Sequence, residues 1–436
     1  MKEQDAAFER PEWVIGNSIH EVAFCTEFLE EHPMKSVGGK FYTTNGQIHD
    51  ESALKKEVFD LIKPYVTSSL SKKVSNLIEV MRMECSMEEF PLQLDRIHVA
   101  NGTFYLNGEL NPEKQFCENR FPVAVNLCAG APVRFLTFLR NLLYEEDIPT
   151  LQEYLGYCLI PCTKAQKMLI ILGKGGEGKS RLGLILKKLI GPGVTMNSIQ
   201  KIETNKFARA DLEGRLVMVD DDMEMTALPK TSVLKTLVTA ESDIDLEKKG
   251  VQSYQGQLYA RFLCFGNGEL TSVSDQSFGF YRRQLVLYTK DAPPGRENDP
   301  FLVEKMVPEL ESILMWCLAG LARLIKNNYQ FTVSPRAQQN TRSIQMNLDT
   351  VVAFMGTTDY FELDPDSATS SKELYDAYVQ FCNDNLFEPK RNRAFVTKLH
   401  NREAEYHLEY GNNVYTSTGV RVWGFKGIKL KYKPLF

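Results

Sequence analysis

The stretch Gly173-Lys-Gly-Gly-Glu-Gly-Lys-Ser180 constrains this chain more than any other, because it dictates what must stand on either side of it. A glycine, four residues and then Gly-Lys-Ser is the pattern of a loop whose backbone N–H groups cradle phosphate. Met168-Leu-Ile-Ile-Leu172 precedes it, an unbroken apolar run such as a strand buried on both faces requires. Arg181-Leu-Gly-Leu-Ile-Leu-Lys-Lys-Leu-Ile190 follows and is closed by Gly191-Pro192, the stop signal of a helix. Strand, glycine loop and helix start together make an anion site at the positive end of the helix dipole. Gly173, Gly175, Gly176, Glu177, Gly178, Lys179, Ser180 and Arg181 are therefore the candidate nucleotide-binding residues. Lys179 reaches the terminal phosphates, and the Ser180 hydroxyl can hold Mg²⁺.

At 436 residues the chain is too long for one core. Its net charge of -5 argues against a protein that coats nucleic acid over its whole surface, yet leaves room for local basic patches. The nine cysteines are scattered; only Cys158 and Cys162 are close, with no second pair at zinc-ligand spacing. That usage predicts reduced thiols, mostly in the core, and a cytoplasmic setting. The N-terminus carries no apolar signal region, and Ile313–Ala322 is too short an apolar stretch to cross a bilayer.

Residues 1–90 read as mixed and mostly helical, followed by a hairpin around the Asn101-Gly102 turn. Apolar residues recur at helical spacing from Val133 to Leu159. A boundary is expected near Val333–Arg336 or in the turn-rich Asp364-Pro-Asp-Ser-Ala-Thr369.

Hydrolysis of a nucleotide needs a carboxylate for the metal, a polariser for water and positive charge for the leaving phosphates. Leu216-Val-Met-Val219 reads as a buried strand with Asp220-Asp-Asp222 at its end, where carboxylates repel unless a cation such as Mg²⁺ sits among them. A third strand, Phe262–Phe265, ends in Gly266-Asn267, whose side-chain amide can orient attacking water. Arg282-Arg283 precedes the apolar run Leu285–Tyr288, and an arginine there can reach a neighbouring subunit's nucleotide. No histidine lies between His98 and His400, so histidine acid–base chemistry is not expected in this core.

As an ordered set, Gly173–Ser180, the acidic strand end, a lysine-bearing loop, Asn267 and Arg282-Arg283 resemble the superfamily 3 helicases. The branch is that of the phage and plasmid primase-helicases, which includes the poxvirus primase-helicase. Leu151–Leu159, Asn205-Lys-Phe207 and Leu212–Leu216 look like the same branch, and the similarity covers roughly residues 90–430. The resemblance implies an α/β chain with an AAA+-type P-loop ATPase core over residues 151–345, a mostly helical N-terminal domain over 1–150 and a C-terminal winged helix over 346–436. It implies ATP and Mg²⁺ as cofactors, a homo-oligomeric ring, usually a hexamer, and translocation on single-stranded DNA. Asn267 would be the sensor, and Arg282 or Arg283 a finger acting in trans.

Two departures stand out. Glu177 replaces the asparagine usual before Gly-Lys-Ser and is expected to point outward. The triple aspartate leaves the register open: family patterns favour Asp221 and Asp222, whereas strand-end counting favours Asp220 and Asp221, with Ser180, as the metal side.

Lys248-Lys249-Gly250 suits the tip of a hairpin that contacts a phosphate backbone, which the resemblance places in the ring's channel. Ser370–Cys382 and Asn392–His400 read as helices, the first with a helix cap, followed by short strands ending in Ile428–Lys433 with lysines on one face. Residues 385–436 hold ten Lys/Arg against four Glu, a local +6, so Arg391, Arg393, Lys398, Lys429, Lys431 and Lys433 are candidate DNA contacts. A wing that binds protein instead is the other reading.

The expected function is an ATP-driven replicative DNA helicase of a phage, plasmid or other mobile element, acting on single-stranded and duplex DNA in the cytoplasm of a bacterium or virus-infected cell. No primase domain is expected in this chain, so a separate primase or polymerase would be its partner, and no membrane is involved. An ATP-switched initiator or loader is the alternative. A small-molecule phosphotransferase is disfavoured by the arginine pair and the basic C-terminal module.

Overall fold

The run Leu169-Ile-Ile-Leu172 places apolar side chains on both faces of its strand, and both faces are covered. The computed structural model describes residues 10–16, 18–223, 232–267, 282–291, 299–357, 359–385, 387–415 and 419–431, with the backbone alone for 342–348. Within it, β1 (Met168–Gly173), β2 (Val194–Met196), β3 (Val217–Met223), β4 (Arg261–Asn267) and β5 (Gln284–Tyr288) form one sheet in the order β2-β3-β4-β1-β5. Every pairing in it is parallel. Their C-terminal ends thus share one edge, where open α/β sheets bind ligands.

Period-two alternation splits β1 between two cores. Leu169 and Ile171 join a large cluster with the helices Val133–Leu142, Ile148–Tyr157 and Leu310–Lys326. Met168, Ile170 and Leu172 join a second cluster with Ile199, Ile202, Leu234 and Leu237 from the other face. The helix pair on the first face packs closely because glycine stands at both contact points. A Cβ at Gly156 would lie 2.4 Å from the Cys317 carbonyl oxygen, and one at Gly320 would lie 2.4 Å from that of Gln152. Buried Glu153 locks the pair further, taking Arg323 Nε at 2.6 Å and the Thr332 amide at 2.7 Å.

Residues 13–85 have a core of their own. The helical expectation holds for Glu21–Glu31, Ser52–Ile62 and Leu70–Glu84, but the structure adds a three-stranded meander, Lys35–Val37, Lys40–Thr43 and Gly46–Gln47. Gly38-Gly39 and Asn45-Gly46 were its turn signals, and the strands between them are too short to show a period. The Asn101-Gly102 hairpin is present as Arg96–Val99 and Gly102–Tyr105. Ile97, Val99, Phe104 and Phe135, which the expected N-terminal domain would include, pack into the core of the central sheet.

Beyond the sheet, Thr350–Met355, Ser371–Asp384 and Asn392–His400 enclose a fourth core against a three-stranded antiparallel sheet. Ser370 caps its helix as expected, with a reciprocal capping box to Glu373. Asp364–Thr369 is not a boundary turn: it lies inside the strand Phe361–Ser370, where the pairing register shifts between Asp364 and Ala368. The Pro-Asp-Ser signal belongs to a bulge. All nine cysteines are free thiols, and Cys128 alone is exposed. Among the described residues no helix is long and apolar enough to cross a membrane.

Candidate functional site

The glycine loop leaves β1 at its C-terminal end and enters the helix Lys179–Ile190, hereafter α1. Gly175, Gly176 and Gly178 hold φ of 105°, 83° and 94°, the left-handed region that lets the loop turn its amides inward. Gly173 is required for space: a Cβ there would meet Thr289 Oγ1 at 2.5 Å and both Glu177 Oε2 and Lys179 Nζ at 2.8 Å.

Strand β4 lies directly beside β1, with Asn267 opposite Gly173. Lys179 Nζ therefore donates to Asn267 Oδ1 at 3.0 Å, although the two residues are 88 positions apart. The expectation that Glu177 points outward is wrong. It is only 3% exposed, accepts from the Lys174 and Gly175 amides at 2.5 and 2.9 Å, and pairs with Lys179 Nζ at 2.8 Å. Burial pushes its carboxyl up, but the Lys179 ammonium and the amides more than offset this and hold it below the ordinary glutamate value. A carboxylate two residues from a buried lysine finds its cation inward rather than in solvent.

One strand beyond β4, β3 carries the aspartates, and they are not equivalent. Asp220 is buried and its Oδ2 accepts from the Ile199 amide at 2.8 Å. Desolvation raises its pKa, although this hydrogen bond pulls the other way. Past Asp220 the β3–β4 register shifts, and Asp221 and Asp222 are exposed at the ligand edge. Ser180 is exposed on the first turn of α1, while Arg181 lines, with Gly178, Phe138, Asn141, Leu302 and Met306, a cleft of about 400 Å³ beside the loop. Sequence reading missed this cleft and Thr289, because they come from remote segments with no motif of their own. Asp221→Asn and Asp222→Asn are each expected to remove most nucleotide hydrolysis at unchanged melting temperature. Asp220→Asn is expected to lower the melting temperature first. Thermal melts and phosphate release, run side by side, separate the two effects.

Arg282 and Arg283 do not join this edge. The Met168 amide donates to the Arg283 carbonyl oxygen, and Gln284 pairs with Met168, so both arginines stand where β5 begins. With strands rising about 3.3 Å per residue, they lie roughly 15–20 Å from their own glycine loop. Arg282 is exposed and Arg283 half-buried.

The Lys248-Lys249 hairpin is present, between the strands Ile244–Leu246 and Tyr254–Gly256. Lys249 is exposed, while Lys248 pairs with Glu213 and lies 5.3 Å from the Tyr254 ring centre. In the C-terminal unit, Arg391, Arg393 and Lys431 are exposed, and exposed Lys429 faces Glu362 at 3.4 Å. Lys398 turns inward instead and reaches buried Asp349 at 2.6 Å, whose other oxygen caps the helix Thr350–Met355. Lys433 lies outside the described residues.

Residues 171–283 match the model of a family of unknown function, DUF5906. That span opens inside β1 and closes on Arg283, so it holds the loop, the aspartates, the hairpin, Asn267 and the arginine pair. None of the curated proteins matches the chain. Among solved structures, the A-form apo structure of the NrS-1 C-terminal region superposes with a TM-score of 0.51 at 13% identity, covering 89% of this chain and 86% of that one. The A-form apo structure of its fragment 305–718 gives a TM-score of 0.50 at 14% identity, covering 92% and 98%. A JCV helicase matches at a TM-score of 0.31 and 15% identity over 51% of this chain and 63% of that one, too slight a likeness to bear on the fold. The chain therefore shares its overall fold with the NrS-1 C-terminal region.

Proposed function

We propose that this chain is an ATP-driven DNA helicase of the superfamily 3 type, an AAA+-type P-loop core followed by a winged helix. The observation that carries this reading is the meeting of Lys179 and Asn267 at 3.0 Å on the ligand edge of an all-parallel sheet. Glu177 neutralises the buried lysine, and the amide of a second strand end brought to the same point supplies the polar group that a water beside a terminal phosphate requires. Triphosphate would lie along the loop, with its nucleoside in the Phe138–Met306 cleft. Lys179 offsets negative charge that builds on the phosphates, and Asn267 orients the attacking water.

Ser180, Asp221 and Asp222 offer exposed oxygen donors of the kind Mg²⁺ takes. When bound, the ion would neutralise phosphate charge. The arginine pair, far from its own loop, fits a finger offered to the next subunit of a ring. Lys249 and the exposed cations Arg391, Arg393, Lys429 and Lys431 are available for single-stranded and duplex DNA. Lys398, engaged with Asp349, is withdrawn from that set.

The test is ATP hydrolysis with and without single-stranded DNA, together with displacement of a labelled strand. Stimulated hydrolysis with strand displacement is the expected result. Stimulated hydrolysis without displacement would leave the initiator or loader reading in its place.

A further inference from the structure

The seat that the loop builds for phosphate is already taken by the loop's own glutamate. Glu177 Oε1 receives the Lys174 and Gly175 amides, and Oε2 receives the Lys179 ammonium at 2.8 Å. Around it Lys174, Gly175, Gly176 and Ser180 are exposed, so a single buried carboxylate sits inside an otherwise open loop. These donors are the ones an anionic ligand would use. No phosphate can take them while Glu177 holds them.

We infer that Glu177 is a tethered competitor for the phosphate seat and that this residue sets which phosphate ligands the loop retains. The inference rests on the nucleotide site proposed above. A ligand must replace charge-assisted hydrogen bonds, which are about twice as strong as neutral ones. It must also tolerate or expel a negative charge beside its own. The loop allows expulsion: Gly175, Gly176 and Gly178 are free of side chains, and a Cβ at Gly176 would meet nothing within 4 Å.

Competition of this kind sorts ligands by the contacts they make beyond the seat, because the cost of emptying the seat is the same for each. Inorganic phosphate has only the seat itself to gain from. A nucleoside diphosphate adds the cleft and one more phosphoryl group, and a triphosphate adds a third phosphoryl group within reach of Asn267. The tethered carboxylate therefore lowers the affinity of every phosphate ligand by the same factor, so the ligands with the fewest other contacts fall below retention first, and it reoccupies the seat when the ligand leaves. Glu177 thus sets the threshold of retention, keeping inorganic phosphate out and loosening nucleotides that rely on the seat, and is not itself a nucleotide contact.

The experiment is calorimetric titration of the full chain with ADP, a non-hydrolysable ATP analogue and inorganic phosphate, comparing wild type, Glu177→Gln and Glu177→Asp. Glutamine keeps the shape and loses the charge; aspartate keeps the charge and falls short of the seat. Both variants are expected to bind ADP about tenfold or more tighter, with a gain of similar size for the ATP analogue. Inorganic phosphate should become a measurable competitor. Unchanged or weaker ADP binding in both variants, with wild-type affinity intact, overturns this inference alone and makes Glu177 a scaffold of the bound loop. If neither wild type nor variants bind any nucleotide, the nucleotide site itself is wrong and the inference falls with it.

Discussion

Lys179→Ala is expected to cut ATP hydrolysis by about a hundredfold to a thousandfold while the chain stays folded, because in the proposed site it removes a buried cation that would meet the developing phosphate charge. This lysine also has a structural duty, against Glu177 at 2.8 Å and Asn267 at 3.0 Å. Its loss leaves the Glu177 carboxylate with amide donors only, so stability should fall by roughly 1–3 kcal/mol. Combining Lys179→Ala with Glu177→Gln should restore the melting temperature without restoring hydrolysis. That split separates a catalytic cation from a structural one. Phosphate release at the wild-type rate from Lys179→Ala would sink the site assignment.

The double variant Arg282→Ala, Arg283→Ala should lose hydrolysis on a similar or larger scale, since a trans arginine is worth about 10³–10⁵ in rate. The geometry makes this a sharp expectation. Both residues stand at the start of β5, whereas the glycine loop leaves the opposite end of its neighbour β1. An effect on the same chain's nucleotide cannot cross the length of the strand. Mixing this variant with Lys179→Ala should therefore recover part of the activity, because some interfaces then join an intact loop to an intact arginine pair. No recovery in demonstrated mixed oligomers would mean that the arginines only pack against their own chain. Separate melts of each single variant guard against that outcome, as half-buried Arg283 has burial and Arg282 both depressing its pKa.

The sheet and the glycine loop were readable in the sequence because their signals are local. Four of the five strands stand in the sequence as runs of apolar residues, and the loop's glycines occupy a spacing that few other structures require. The capping box at Ser370 and Glu373 was readable for the same reason, as it is completed within four residues. The three-residue strand Val194–Met196 escaped because it is too short to display a period. So did the N-terminal meander.

What the chain alone determined, then, is which residue types are held at which spacing: a phosphate-type loop, an acidic strand end, an amide after a buried strand, and a basic C-terminal segment. Which of them meet was decided by the tertiary structure. Asn267 reaches Lys179 only because β4 is inserted between β1 and β3, and nothing near either residue encodes that order. Asp220 is separated from Asp221 and Asp222 by a break in strand pairing, invisible in three identical letters. Glu177 turned inward and Lys398 was withdrawn by buried partners, Lys179 and Asp349. Charge in a sequence has sign but no direction; burial and the nearest opposite charge supply it, and both exist only once distant segments have packed.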